Sequence, residues 1–280
     1  MSTDDHSTAS KRMMTPNGMF EQTQDYYARF RPPITDDVAG AVLKLSGPEV
    51  MSGSLLDLGT GTGQVVRAMA PHFVSIYAIE LDQGMLDRAE ADWQASEYRH
   101  KTEVEWARAD VEEYSLPPTA RVTLTTACRA FHWMDQASVL RRYATQTASG
   151  ASFAVFGDSS FWESPQDWAI HTKQTVQSFL GEQRKARSGT FNHHKRPYAD
   201  ILTESPFSLV REAVVQVERT WTPAQVIGYL YSTTFAAREL FGNRRTEFED
   251  TLTNSLLPYQ QNGQLLENAH FKICVGTKPE

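Results

Sequence analysis

The residues with the clearest chemical potential form one run, Leu55-Leu-Asp-Leu-Gly-Thr-Gly-Thr-Gly63, in which an apolar stretch meets three alternating glycines. Glycine lets backbone amides approach a ligand where a side chain would intervene, and it tolerates the tight turn between a strand and a helix. A dinucleotide loop would require G-x-G-x-x-G/A. Counting from Gly59 or from Gly61 puts Gln64 or Val66 at the last small position, so that pattern fails. The loop is instead preceded by a carboxylate, Asp57. Two more acids close apolar runs downstream: Glu80 in Ile76-Tyr-Ala-Ile-Glu-Leu-Asp82 and Asp110 in Ala107-Arg-Ala-Asp-Val111. An acid about twenty residues beyond such glycines is suited to accept both hydroxyls of a ribose.

The surrounding pattern can present these groups together. Short apolar runs at 54–58, 74–79, 104–109, 122–126 and 152–156 alternate with helical patterns near 64–70, 83–95 and 136–148. Such alternation predicts a parallel sheet with crossover helices, and open α/β sheets bind ligands at strand carboxyl ends. Ahead of it, 35–45 reads as an amphipathic helix capped by Thr35. Beyond residue 156 the alternation breaks into a long aromatic stretch with a helix at 168–180 and a polar, basic segment, 181–196. A strand at 209–217, a helix from Thr222 with Pro223 at its first position, and a last apolar strand at 270–275 follow. The expected division is a disordered start (1–17), a helical lid (18–53), a binding core (54–160), a cap insertion (161–208) and a completion of the sheet (209–280).

The D-x-G-x-G-x-G run resembles motif I of class I S-adenosylmethionine (SAM) dependent methyltransferases. Tyr26-Tyr-Ala-Arg-Phe-Arg-Pro32 is similar to the Y-x-x-x-R-P element of their small-molecule "type 11" group, and Ala130-Phe-His-Trp-Met-Asp135 to its F/L-H-W signature. The matching motifs run from about residue 26 to 156. The resemblance implies a seven-stranded, mostly parallel Rossmann-like sheet with an antiparallel last strand, an inserted helical and aromatic cap, and SAM as cofactor. It assigns Asp57 to the ammonium end of SAM, Glu80 to the ribose, and Asp110 with the following amide to adenine. A carboxylate suits a cationic ligand that has no phosphate. The implied cofactor set is Tyr26, Arg31, Asp57, Gly59, Thr60, Gly61, Gly63, Glu80, Leu81, Met85, Asp110, Val111 and Ala127.

Methyl transfer from sulfonium is an in-line displacement that needs positioning and, for some acceptors, a base. His132 follows the fourth strand and has an unperturbed pKa of about 6.5, which suits a base near neutrality. Asp158, in Val155-Phe-Gly-Asp158, is the second catalytic candidate. The competing reading packs His132 against backbone under the loop. Arg129 is open between an anionic substrate group and the surface. Trp133, Phe161, Trp162, Trp168, Trp221, Tyr229 and Tyr231 are read as core or as pocket lining.

The formal net charge is −7, and the only basic runs are short (184–187 and 193–196), which argues against nucleic acid as a substrate. The two cysteines, Cys128 and Cys274, force no disulfide, and adjacent His193 and His194 do not make a metal pair, so no metal is expected. No run of about 18 apolar residues exists and the start lacks an apolar signal core, so the expectation is a cytoplasmic monomer or homodimer acting on a small molecule away from membranes. Two rivals remain: a SAM-binding enzyme that cyclises or cleaves SAM or performs pericyclic chemistry, and a non-catalytic SAM-binding protein.

Overall fold

The computed structural model describes residues 23–159, 162, 164–181, 185–186, 189–190 and 196–279. The expected disordered start (1–17), Phe161, the ends of the basic run 184–187, and His193 and His194 lie outside the described residues.

The main sheet has seven strands: β1 (Ser54–Leu58), β2 (Ser75–Glu80), β3 (Glu103–Arg108), β4 (Val122–Cys128), β5 (Ser152–Asp158), β6 (Leu209–Trp221) and β7 (Leu265–Thr277). Their order is β3-β2-β1-β4-β5-β7-β6. β1 to β5 run parallel, and β7 is antiparallel to both of its neighbours. This is the layout expected above. The chain leaves β1 towards β2 and β3, then returns to β4 on the other side. The crevice between the carboxyl ends of β1 and β4 is therefore the topological switch point, where such sheets place ligands.

β1, β2 and β5 are short and mostly apolar because both faces are covered, β4 is buried but mixes threonines with apolar residues, and the edge strand β3 alternates. On one face, Val38 and Val42 of α2 (Asp36–Ser46) and Val66 and Met69 of α3 (Gln64–Met69) pack over Leu55, Ile76 and Leu124. On the other, Val139, Leu140 and Tyr143 of α5 (Gln136–Gln146) join Phe131, Phe153 and Phe207 over Leu56 and Leu58. α4 (Gln83–Gln94) is capped by Asp82, whose carboxylate accepts from the Met85 amide.

β6 and β7 exceed the runs at 209–217 and 270–275. They pair along all thirteen residues, but β5 covers only 271–277 of β7. Residues 216–221 and 265–270 thus form a two-stranded ribbon that continues past the end of β5. Its sequence is mostly polar or alternating, so the apolar signal stops before the strands do.

The ribbon carries a second core. Trp162, Trp168, Trp221, Tyr229, Leu230, Tyr231, Phe248 and Leu252 gather there. Trp168 comes from α6 (Asp167–Leu180), Tyr229, Leu230 and Tyr231 from α8 (Pro223–Tyr231), Phe248 and Leu252 from α9 (Arg245–Leu256), Trp221 from the end of β6, and Trp162 from ahead of α6. The cap is therefore not confined to 161–208: the segment between β6 and β7 supplies much of it. α8 begins with the expected Thr222 cap, closed as a box by Gln225, with Pro223 at its first position.

α1 (Gln24–Phe30) docks on α8 where residue 228 lacks a side chain; a Cβ there would lie 2.5 Å from the Phe30 ring. Gly228→Ala should lower stability by about 1–3 kcal/mol through this overpacking and speed amide exchange across 24–30. Denaturant unfolding and hydrogen exchange check it; unchanged exchange would mean that the ring swings aside and α1 stays docked.

Candidate active site

The glycine loop closes the crevice over β1. Gly59, Gly61 and Gly63 have φ of +66°, +56° and +73°, all left-handed, where a side chain is strained. The Gly59 and Thr60 amides both donate to the Ile79 carbonyl, at 2.9 and 3.0 Å. A Cβ on Gly59 would stand 2.7 Å from that of Ala130, whereas one on Gly61 would meet nothing nearer than Tyr27 at 3.9 Å. The loop is therefore pinned from below and open above.

Asp57 is 1% exposed and accepts from the hydroxyls of Thr60 at 2.6 Å and Thr126 at 2.8 Å. Burial pushes its pKa up to about 7 against the pull of the two hydroxyls, with a smaller push from the charge of Glu80. Glu80 ends β2 and takes three amides: Gly61 at 2.8 Å on one oxygen, Leu81 at 2.9 Å and Asp82 at 3.0 Å on the other. Burial raises its pKa too, and the amides oppose that. Since a carboxylate offers about four acceptor sites, Glu80 keeps room chiefly on the oxygen shared with Gly61.

Asp110 follows β3 and accepts from the Glu112 amide at 2.8 Å. Leu81 and Val111 are half-buried beside these acids, Met85 is buried in the first turn of α4, and Ala127 is buried on β4 at the cleft wall. Thr126 was missed, although a β4 run of Val-Thr-Leu-Thr-Thr, rich in hydroxyls for a central strand, pointed to a polar contact. The donor set suits SAM: carboxylates stand around the loop, whose amides at 59, 60, 61 and 63 are already engaged, and it has no lysine to meet a phosphate.

Beyond the loop lies a cleft of about 1340 Å³, lined by Tyr27, Arg31, Arg129, His132, Trp133, Asp158, Tyr229 and Glu267 among others. Tyr26 is not on it. Its ring packs 6.0 Å from Phe30 and 5.4 Å from Tyr231, inside the cap core. Consecutive helical residues face different ways, and it is Tyr27, four residues before Arg31, that meets the cleft; the Y-x-x-x-R-P spacing also fits Tyr27. Arg31 lies 5.0 Å from the Tyr27 ring and 4.7 Å from that of Tyr229, and donates to the Tyr229 hydroxyl at 3.3 Å. Its buried Nε has no hydrogen-bond partner.

His132 sits in the short helical turn Phe131–Trp133 directly after β4, its ring 4.8 Å from Trp133. Asp158 does not serve as the base proposed for it. It is clamped by Arg129 Nε at 2.7 Å and Arg219 Nη1 at 2.8 Å, with its side chain 10% exposed. Burial alone would raise its pKa, but the two guanidiniums outweigh that and hold it at about 2. A carboxylate so acidic takes up a proton poorly at neutral pH. Arg129 is neither a surface residue nor a free substrate contact, because its three guanidinium nitrogens are all engaged. Among the described residues no group of three His, Cys, Asp or Glu side chains gathers as a metal site, and no helix is long and apolar enough to cross a membrane.

Residues 55–150 match the methyltransferase domain family. A candidate SAM-dependent methyltransferase of Saccharomyces cerevisiae is 23% identical over 131 residues, which cover 47% of this chain and 44% of that protein. The chain thus spans less than half the length of that relative. A candidate methyltransferase of Dictyostelium discoideum is 22% identical across 86% of this chain and 87% of its own. Among solved structures, a candidate type II methyltransferase from Anaeromyxobacter dehalogenans superposes with a TM-score of 0.58 at 18% identity, covering 89% of this chain and 97% of that one. Phosphoethanolamine N-methyltransferase 2 of Haemonchus contortus, solved with phosphomonomethylethanolamine and S-adenosylhomocysteine, gives 0.52 at 17% identity over 95% of this chain and 61% of its own. Residues 55–150 thus match a methyltransferase domain, and the seven-stranded sheet has the class I, SAM-dependent methyltransferase fold.

Asp158→Ala should cost about 3–5 kcal/mol at neutral pH, because it leaves buried Arg129 without its counter-ion and Arg219 with only the more distant Glu267 at 3.7 Å. The folded pKa of about 2 lies below the ordinary 3.8, so the carboxylate's contribution is present above pH 3.8 and is lost as pH falls towards 2. Unfolding free energies of wild type and variant, followed from neutrality into acid, should converge over that window. Lost turnover with unchanged stability would restore Asp158 as a base.

Proposed function

We propose that the protein methylates O, N or C of a small metabolite held in the cleft between the glycine loop and the cap. One observation carries this reading: Asp57, Glu80 and Asp110 stand at the carboxyl ends of three adjacent strands around a glycine loop, and Tyr27 and Ala130, the neighbours of Gly61 and Gly59, also line the aromatic cleft. Ligand pockets commonly run about 300–1000 Å³, and the cleft of about 1340 Å³ has room for a small acceptor beside the reactive end of the cofactor.

SAM, when bound, supplies a methyl group on a positively charged sulfur. The chain supplies the rest. Asp57 and Glu80 place negative charge around the loop, where the cation and the ribose are to be held. Asp110 and the Val111 amide offer a polar edge for adenine. Arg31, braced by two tyrosines and carrying an unmet donor, would receive a carboxylate. The aromatic wall of Trp133, Tyr198, Tyr229 and Phe235 excludes water and orients an acceptor. His132, on the same wall, takes the acceptor's proton where one must leave. A cytoplasmic setting and a small-molecule partner belong to this reading.

Incubation with SAM and a panel of phenols, amines and carboxylic acids tests it. S-adenosylhomocysteine should form only when an acceptor is present. Methylthioadenosine made without acceptor would point to cleavage or cyclisation of SAM, and binding with no product across the panel to a non-catalytic protein.

Glu80→Ala removes one charge-assisted bond to the ribose, worth about 1.5–3 kcal/mol. SAM affinity should drop about tenfold or more while the fold persists; equal affinity by calorimetry would take Glu80 out of the site. His132→Ala should lower turnover by about 10²–10⁴ with SAM binding nearly intact, and the wild-type rate should fall on acidification as the imidazole protonates. Loss of stability and SAM affinity together, with turnover per loaded enzyme unchanged, would make His132 a packing residue.

A further inference from the structure

Arg129 is one of two non-glycine residues with positive φ among the described residues, at +56° immediately after β4. That conformation is unfavourable for a side-chain-bearing residue, so the surroundings must hold it there. Its guanidinium does so in three directions. Nε donates to Asp158 on β5 at 2.7 Å, Nη1 to the Gln64 side-chain oxygen at 2.8 Å, and Nη2 to the Pro32 carbonyl at 3.1 Å. Gln64 is the first residue of α3, directly after Gly63, and its amide nitrogen donates to the Arg31 carbonyl at 3.2 Å. The other oxygen of Asp158 takes Arg219 of the ribbon at 2.8 Å, and Arg219 lies 3.7 Å from Glu267 on the facing strand.

We propose that Arg129 is a positioning residue that couples the cofactor loop to the entrance segment and to the cap. The inference rests on the reading that SAM occupies the glycine loop. α3 begins where that loop ends, so a ligand that settles the loop also settles Gln64. Gln64 and Arg129 grip the successive carbonyls of Arg31 and Pro32, and Arg129 grips the ribbon through Asp158. A shift of the α3 terminus therefore moves both the residue that faces the cleft from the entrance and the ribbon that carries the cap. Only a planar guanidinium reaches three acceptors in fixed directions; a lysine ammonium is a single point with a flexible stem. Coupling of this kind is a shift among arrangements, favoured by a ligand that binds one of them better.

Calorimetric SAM titration and amide hydrogen exchange, with and without saturating SAM, test it on wild type, Arg129→Lys, Arg129→Gly and Gln64→Ala. In wild type, SAM should slow exchange at 59–64, at 24–31 and at 265–270. The Arg129 variants should bind SAM about tenfold more weakly and keep protection at 59–64 while losing the SAM-induced part at 265–270. Gln64→Ala cuts the thread without disturbing the buried ion pairs, so it reports even where an Arg129 variant fails to fold, and it should lose the SAM-induced protection at both distant segments. Protection that still spreads to 24–31 and 265–270 in the variants, whatever their melting temperature, overturns the proposal. So does recovery of coupling in Arg129→Gly, which would credit the relaxed backbone turn and not the guanidinium. Wild-type protein that binds no SAM would instead overturn the reading of the glycine loop, a different result from tight binding whose effect stays local.

Discussion

A carboxylate buried between two guanidiniums at the end of β5 is the interaction on which the arrangement turns. Asp158 meets Arg129 from β4 and Arg219 from the ribbon, all three side chains about nine-tenths buried. Removing such charges from water is expensive, and the attraction offsets that only when every partner is in place. The group therefore tolerates little displacement of β4, β5 or β6. Replaced by apolar side chains of similar size, the junction would be no less stable on general grounds, but it would no longer fix direction. Direction matters here, because two separately packed cores meet at this point and the cleft lies between them.

The acids proposed to meet the cofactor obey a related electrostatic logic with the opposite outcome. Among the described residues Asp57 meets no cation, only two threonine hydroxyls, and burial carries its pKa to about 7. Glu80 is raised as well, despite three amides. Asp158 is acidic because its counter-charges are built in; Asp57 and Glu80 are left under-compensated beside an open loop. Acids held in that state favour a cationic ligand, since its arrival supplies the compensation that the protein withholds. The lack of a lysine in the loop and the lateral position of Arg31, braced by Tyr27 and Tyr229, follow the same division of charge.

Much of this was legible in the residues. The glycine run, the acids at 57, 80 and 110, and the alternating runs around them pointed to the parallel half of the sheet, because buried strands and glycine turns depend on local composition. The antiparallel last strand came from resemblance, not from pattern. Two things resisted. The ribbon at 216–221 and 265–270 is held by pairing between strands more than forty residues apart, and its polar alternation resembles a loop. The role of Asp158 depends on Arg219, sixty-one residues further on, so no local reading separates a base from a clamped counter-ion. Tyr26 is a case of another sort. The spacing to Arg31 already favoured Tyr27, and helical geometry then places the two rings on different faces.

The cap gives the last step. α6 lies before β6, while α8 and α9 lie between β6 and β7, so the second core is assembled from two insertions that meet on the ribbon. Its aromatic side chains pack mostly with one another, and only some, such as Tyr229, also face the cleft. The strands that hold the acids around the glycine loop contribute little to that wall. In the proposed function, donor binding and acceptor choice are thus carried by different parts of the chain, joined through a few buried polar contacts. Cap residues can change and reshape the acceptor side without disturbing the acids around the loop, so long as Arg129, Asp158 and Arg219 keep the two parts in register. This explains why motifs in the first 156 residues speak clearly of the cofactor and say so little about the molecule that receives the methyl group.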